Sequence, residues 1–161
     1  VAYSRRSAGT MVDDEKIEIQ ALRSVRTDDE IGRSLHISII SYNGVVLMVG
    51  QAPTQDIRNR AETLVSGVPK VRLVHNEMII AAPSSLATRS SDTITTSRVK
   101  TSILGISKGE DSPGLRTKVV TENGIVYLMG LLTHNEADAV TEAARQVGGV
   151  QRVVKLFEYT D

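Results

Sequence analysis

One sequence pattern occurs twice in this chain, and the repeat constrains the fold more than any other feature. The segment 42–50, YNGVVLMVG, matches the segment 122–130, ENGIVYLMG, at a fixed offset of 80 residues. With one residue deleted, the match continues into evenly spaced valines, which are Val68, Val71 and Val74 in the first copy and Val147, Val150 and Val153 in the second. Two copies predict a tandem pair of small domains, because a solenoid stacks three or more repeats.

Each copy has the same predicted order of elements, α-β-β-α-β. Hydrophobic spacing predicts, in the first copy, a helix over 13–26, strands over 35–42 and 45–49, a helix over 53–66 and a strand over 71–80. The same elements of the second copy are predicted over 93–105, 115–121, 125–129, 134–147 and 150–159. An Asn-Gly pair separates the first two strands in both copies, and it favours a tight hairpin because both residues tolerate positive φ. We expect an α+β fold in which each domain has a three-stranded mixed sheet with two helices on one face.

The repeat also sets the predicted domain boundaries. The first domain is predicted over 12–80 and the second over 92–161. Small and polar residues dominate 81–91, which indicates a linker, and the polar residues 1–11 predict a flexible lead.

Composition excludes several classes of function. Lys+Arg and Asp+Glu each number 19, so the chain lacks the net positive charge of a nucleic-acid-binding domain. Aromatic residues make up 3% of the chain, too few for the stacking platforms that bind single-stranded nucleic acid. There is no cysteine, and no apolar run approaches the roughly 18 residues of a membrane-spanning helix.

No arrangement of residues indicates catalysis. His36, His75 and His134 lack the spacing of metal-binding helices. The acidic run 28–30, DDE, lacks the alternating ligands and the glycine of a calcium-binding loop. We therefore expect a protein with no catalytic residues, no metal and no cofactor.

The predicted helix over 93–105 has apolar residues on two sides. At 100° per residue, Val99, Ile103 and Ile106 form a core face, and Ile94 and Leu104 lie roughly opposite. Small hydroxyl residues and two cations surround this second pair, an arrangement typical of a helix at a membrane surface. The candidate lipid-binding residues are Ile94, Ser97, Arg98, Lys100, Thr101 and Leu104. The alternative is that the exposed pair packs on the other domain.

The helix over 13–26 provides an internal comparison in the first domain. Its apolar residues, Ile19 among them, are expected on one broad arc that faces the core. The outer arc is expected to hold Asp13, Gln20, Arg23 and Ser24, with no exposed apolar pair. This helix is therefore not predicted to face lipid.

The second strand of each predicted sheet is apolar on both faces. Alternate residues of a strand point to opposite sides, so the helices of the domain cover only one face. We expect the partner domain to cover the other face, with a domain interface formed by Val46, Met48, Val126 and Leu128.

The motifs of the two copies, taken in order, resemble the BON domain. They are the Asn-Gly pair, a strand that ends in Gly50 or Gly130, a polar helix and the spaced valines. Two such domains behind a short lead are similar to the dual-BON-domain outer-membrane lipoproteins of Gram-negative bacteria, as are the stretches 6–10 and 119–124. The resemblance covers nearly the whole chain.

The resemblance implies a non-enzymatic outer-membrane lipoprotein that faces the periplasm and supports envelope integrity. It implies binding to an anionic phospholipid membrane through the first helix of the second domain, and an anchor at a lipidated cysteine upstream of Val1. Envelope assembly proteins are a further class of partner, and nucleic acid is not one. Two alternatives remain open: an unlipidated periplasmic stress protein of similar fold, and a module that docks on proteins of envelope assembly.

Two positions depart from the family pattern. Gly149 precedes the middle valine of the second copy, whereas Lys70 holds this place in the first, so the first turn is expected to differ. Ile94 stands where an aromatic residue often starts the helix, which weakens the expected membrane anchoring.

Overall fold

Two hairpins, each turning at an Asn-Gly pair, organise the computed structural model, which describes residues 6–107 and 112–161. Asn43 and Gly44 have φ of 55° and 75°, and Asn123 and Gly124 have φ of 54° and 80°. Positive φ at both central residues matches the right-handed twist of the flanking strands. Both predicted hairpins are therefore confirmed, one in each of the two units Arg6–Ser84 and Ser85–Asp161.

The first domain contains two helices and a mixed sheet. In chain order its elements are α1 (Ala8–Arg26), β1 (His36–Tyr42), β2 (Val45–Ala52), α2 (Gln55–Ser66), β3 (Leu73–Asn76) and β4 (Ile79–Ile80). β1 is antiparallel to β2, and the crossover through α2 makes β3 and β4 parallel to β2. The single last strand predicted over 71–80 is thus broken into two short pieces on the same edge of β2.

The second domain repeats this topology with an unbroken last strand. Its elements are α3 (Leu86–Leu104), a 3-10 turn (Pro113–Arg116), β5 (Thr117–Glu122), β6 (Ile125–Leu132), α4 (His134–Arg145) and β7 (Arg152–Tyr159). β5 pairs antiparallel with β6, and β6 pairs parallel with β7. A capping box begins α4, with the side chains of Thr133 and Glu136 each bonding the backbone of the other residue. The α-β-β-α-β order holds in both domains.

Each domain has its own hydrophobic core between the sheet and its two helices. Val46 and Met48 are fully buried in the first core, and Val126 and Leu128 are fully buried in the second. Their side chains pack with the helices of their own domain, so the prediction that these four residues form a domain interface is wrong. Alternation does not identify the helix-facing side of a strand when both sides are apolar.

The first helix of each domain begins earlier than predicted. Ser7 caps α1 and Ser85 caps α3, each accepting a hydrogen bond from the backbone amide three residues on. The predicted linker over 81–91 is therefore helical from Leu86. The predicted flexible lead is ordered over 6–11, and residues 1–5 lie outside the described part of the chain.

The turn that holds Lys70 has the same backbone handedness as its counterpart at Gly149. Their φ angles are 72° and 96°, so the expected difference between the two turns is wrong for this torsion. Lys70 accepts a conformation in which its Cβ is crowded, and its ammonium pairs with exposed Asp13 at 3.1 Å.

Replacing Lys70 with glycine is expected to stabilise the first domain. Glycine relieves the strain of the left-handed backbone. The free energy gained exceeds the free energy lost with the surface ion pair and with the greater entropy of the unfolded chain, so the free energy of unfolding rises by roughly 0.5 kcal/mol. The reciprocal change Gly149→Ala is expected to cost about 1–2 kcal/mol, because a Cβ there lies 3.0 Å from the Thr95 hydroxyl. Urea unfolding of both variants measures these changes in the free energy of unfolding, which should have opposite signs. Changes of the same sign would contradict this account of the two turns.

Candidate membrane-contact site

Helix α3 has one side buried in the second domain and the other exposed. Asp92, Thr95, Val99 and Ile103 are buried, and their spacing of three and four residues defines the core face. The helix is otherwise exposed or half-buried along its length. This division confirms the core face that the sequence predicts at Val99 and Ile103.

All six candidate lipid-binding residues lie on the exposed side of α3. Ile94 is 53% exposed and Leu104 is 44% exposed, which are large fractions for apolar side chains. The remaining four, Ser97, Arg98, Lys100 and Thr101, are also exposed. The core of the second domain therefore leaves much of both apolar side chains uncovered.

The structure adds Leu86 to this surface. Leu86 is 79% exposed and, at 100° per residue, falls on the same side of the helix as Leu104. The three apolar residues therefore extend over about 27 Å along the helix axis. Sequence reasoning missed Leu86 because it lay in the predicted linker, although the capping residue Ser85 just before it marks a helix start.

The exposed surface of α3 carries positive charge without negative charge. Asp92 is the only acidic residue in the helix, and it is buried. Arg98 and Lys100 form no ion pair with any part of the chain that the structure describes. Residues 6–107 and 112–161 thus leave the charges of both cations without an acidic partner.

Asp92 fixes α3 against the second hairpin. Its carboxylate accepts hydrogen bonds from the backbone amides of Asn123 at 2.7 Å and Gly124 at 2.9 Å. Because these bonds join the core face of α3 to the hairpin, they set the rotation of the helix about its own axis. The outward direction of the apolar pair follows from this rotation.

Asp14 makes the equivalent contact in the first domain. It accepts from the amides of Asn43 and Gly44 at 2.7 and 2.9 Å, from the Ser41 hydroxyl at 2.8 Å and from Arg6 at 3.1 Å. Burial by itself raises the pKa of the Asp14 carboxyl, but the hydrogen bonds outweigh it and hold this pKa below its usual range. The carboxylate is therefore charged in the folded protein at neutral pH.

The outer face of α1 differs from the sequence expectation. Ile19, expected on the core arc, is 52% exposed, and Met11 and Val12 are each 51% exposed. The prediction that this face has no exposed apolar pair is therefore wrong, since Val12 and Ile19 lie on it. At 100° per residue Ile19 lies about 200° around the helix from Ile17, so it falls outside the core stripe formed by Asp14, Ile17, Ala21 and Val25.

The described residues do not assemble a metal-binding cluster. Within 6–107 and 112–161, no group of three or more histidine, aspartate or glutamate side chains is arranged to hold a metal ion. His134 instead bonds Asp161 at 2.8 Å and stacks on Tyr159, and the bond to His134 lowers the pKa of Asp161. Over the same ranges, no helix is both long enough and apolar enough to cross a bilayer.

Comparison with protein families finds a match that covers most of the chain. The model of the BON domain matches residues 13–82 and again residues 91–161. The two matched segments correspond to the two units of the structure.

Three relatives match nearly the whole chain. The outer membrane lipoprotein DolP of Haemophilus influenzae is 36% identical, with coverage of 100% of this chain and 82% of its own length. The 21 kDa hemolysin of Actinobacillus pleuropneumoniae is 36% identical, with coverage of 96% and 78%. The osmotically-inducible protein Y of Escherichia coli is 28% identical, with coverage of 95% and 76%.

Proposed function

The chain belongs to the BON-domain family, with two BON domains in tandem, and on this premise we propose that it binds anionic phospholipid membrane through α3. It acts as a non-enzymatic protein of the outer membrane, on the periplasmic face, and supports envelope integrity. A lipid anchor in the full-length form holds it there. Its likeness to an outer membrane lipoprotein over the whole chain supports this location.

The exposed surface of α3 is the observation that carries the proposal. Leu86, Ile94 and Leu104 are apolar and exposed, and the other exposed residues of α3 include cations and hydroxyl groups but no acid. Such a helix lies in the plane of a membrane, with apolar side chains at the acyl boundary and cations at the head groups. The chemistry fits an anionic bilayer better than a neutral one, because Arg98 and Lys100 each gain roughly 1 kcal/mol near anionic lipid.

The expected affinity is modest. Each half-exposed apolar side chain contributes on the order of 1 kcal/mol when it enters the boundary region, because only part of its surface remains to be buried. A single weak signal rarely holds a protein on a membrane, whereas two signals together do. The helix thus complements a lipid anchor: the anchor sets the location, and α3 sets the lipid preference and the orientation.

Sedimentation with vesicles tests the proposal directly. The protein is expected to sediment with vesicles of phosphatidylglycerol and phosphatidylcholine in equal parts, and to stay in solution with phosphatidylcholine alone. Raising the salt concentration is expected to weaken binding, because the Debye length falls from about 8 Å at physiological ionic strength to about 3 Å at 1 M. Equal binding to both vesicle types, at low and high salt, would refute the lipid preference.

An unlipidated periplasmic stress protein is the second candidate. It is supported by the 28% identity to an osmotically-inducible protein over 95% of the chain. Intact mass measurement of the mature protein purified from its own cells separates the candidates. A mass that includes acyl chains on an upstream cysteine supports the lipoprotein, and a purely peptide mass supports the second candidate.

A further inference from the structure

The outer face of α1 carries a narrow stripe in which apolar and basic residues are combined. Residues Val12, Lys16, Ile19, Arg23 and Arg26 succeed one another at spacings of four, three, four and three, and all five are exposed. Alternating spacings of three and four place side chains along one line of a helix. The stripe is about 21 Å long, which corresponds to four turns.

The structure of the domain does not account for this stripe. Lys16, Arg23 and Arg26 form no ion pair with residues 6–107 or 112–161. Basic residues in the last turn complement the helix dipole, which explains Arg23 and Arg26. That argument does not extend to Lys16 in the middle of the helix, or to two isolated apolar side chains that are half exposed.

We infer that the α1 stripe, defined by these five residues, docks an amphipathic helix of a partner protein in which apolar and acidic residues alternate. The spacing is the one that two packed helices use at their seam. Acidic side chains of the partner pair with Lys16, Arg23 and Arg26, and its apolar side chains cover Val12 and Ile19. The inference is independent of lipid binding by α3.

The borders of the stripe favour a partner helix over a membrane. Glu15 and Asp13 lie on its two sides, and Asp13 is already paired with Lys70. A bilayer would bring anionic head groups against both carboxylates, whereas a helix contacts only the stripe between them. The exposed surface of α3 has no acidic residue. The two helices therefore differ in exposed acidic residues, the property that distinguishes a surface for a partner helix from a surface for an anionic membrane.

The same stripe of a second copy of this chain is a poor occupant of the stripe. Three of its five residues are cations, so pairing with itself would place positive charges opposite one another in either helix direction. Such contacts destabilise a helix pair, and no acidic residue within the stripe relieves them. Charge complementarity thus requires an occupant with acidic residues.

Photo-crosslinking in cells that express the full-length protein tests the inference. A benzoylphenylalanine replaces Ile19, and a matched control places it at exposed Glu62 on α2. We expect an adduct from position 19 that mass spectrometry maps to a helical segment with alternating apolar and acidic residues, and no such adduct from position 62. Adducts to lipid, to a second copy of the chain or to a segment without acidic residues would overturn the inference, as would no adduct.

A charge-reversal variant provides a second test of the inference. The double variant Lys16→Glu, Arg23→Glu is expected to reduce the adduct at least tenfold while its circular dichroism stays that of the parent, because both side chains are exposed. Acid-to-lysine changes in the mapped segment are expected to restore the adduct. An adduct that survives charge reversal in a folded variant contradicts the inference.

Vesicle sedimentation distinguishes the stripe from a lipid site. The variant Ile19→Glu is expected to bind vesicles like the parent, and a loss of vesicle binding identifies the stripe as a lipid site instead.

Discussion

The variant Leu104→Glu is expected to lose most of its binding to phosphatidylglycerol vesicles. The change removes about 1 kcal/mol of apolar burial and adds about 1 kcal/mol of repulsion from anionic head groups, which together weaken the Kd roughly thirtyfold. Arg98→Gln removes one attraction and is expected to weaken the Kd only about fivefold. Sedimentation over a range of lipid concentrations measures both constants, and circular dichroism checks that each variant is folded.

Ile19→Glu is the matched control for Leu104→Glu. Both changes place a carboxylate at a half-exposed apolar position on the first helix of a BON domain. Only the change on α3 is expected to affect vesicle binding, because the surface around Ile19 already has bordering acids. If folded Leu104→Glu binds vesicles as well as the parent does, α3 is not the lipid-contact surface.

The second large effect concerns the stability of the first domain. Replacing Asp14 with alanine is expected to lower the free energy of unfolding by about 3 kcal/mol, because it leaves buried backbone amides of the hairpin without an acceptor. Urea unfolding measures this loss, and hydrogen exchange at the Asn43 and Gly44 amides locates it. Asp13→Ala is the control, since its exposed ion pair with Lys70 is worth less than about 1 kcal/mol. Equal losses in the two variants would contradict the role given to Asp14.

The same carboxyl predicts a dependence of stability on pH. The folded state lowers the pKa of Asp14 below its unfolded value, which is near 4. The group therefore contributes its full stabilisation above about pH 4, and this contribution is lost as the pH falls through the folded pKa. The stability difference between the parent and Asp14→Asn should shrink below about pH 4. A difference that stays constant from pH 7 to pH 2 would show that the charge of Asp14 does not matter.

The sequence identifies the hairpins and the exposed side of α3 because both depend on local rules. An Asn-Gly pair is one of few dipeptides that adopt positive φ twice, so the turns follow from two residues. The side of a helix follows from spacing alone, which is why Ile94 and Leu104 were placed together correctly. The packing of the second domain then buries the opposite face of α3, which leaves this side exposed.

Two features of the structure could not be predicted from local sequence rules. Asp14 and Asp92 bond turns that lie about 30 residues further along the chain, and helical spacing does not indicate such a contact. The signal was nevertheless present, since an aspartate occupies the same place in both copies. Helix starts at Ser7 and Ser85 were hidden for a different reason, because serine, glycine and alanine also compose linkers.

The bonds from Asp92 to the hairpin give α3 a thermodynamic advantage over a free membrane-active peptide. A free peptide orders its backbone only when it reaches the bilayer, and this ordering opposes binding. Helix α3 is already folded before it meets lipid, so its few contacts are not offset by such a loss. Lipid association should accordingly leave the far-ultraviolet circular dichroism of the protein unchanged. The exposed surface of α3 can therefore be small and still select anionic lipid, because the helix has folded before it binds.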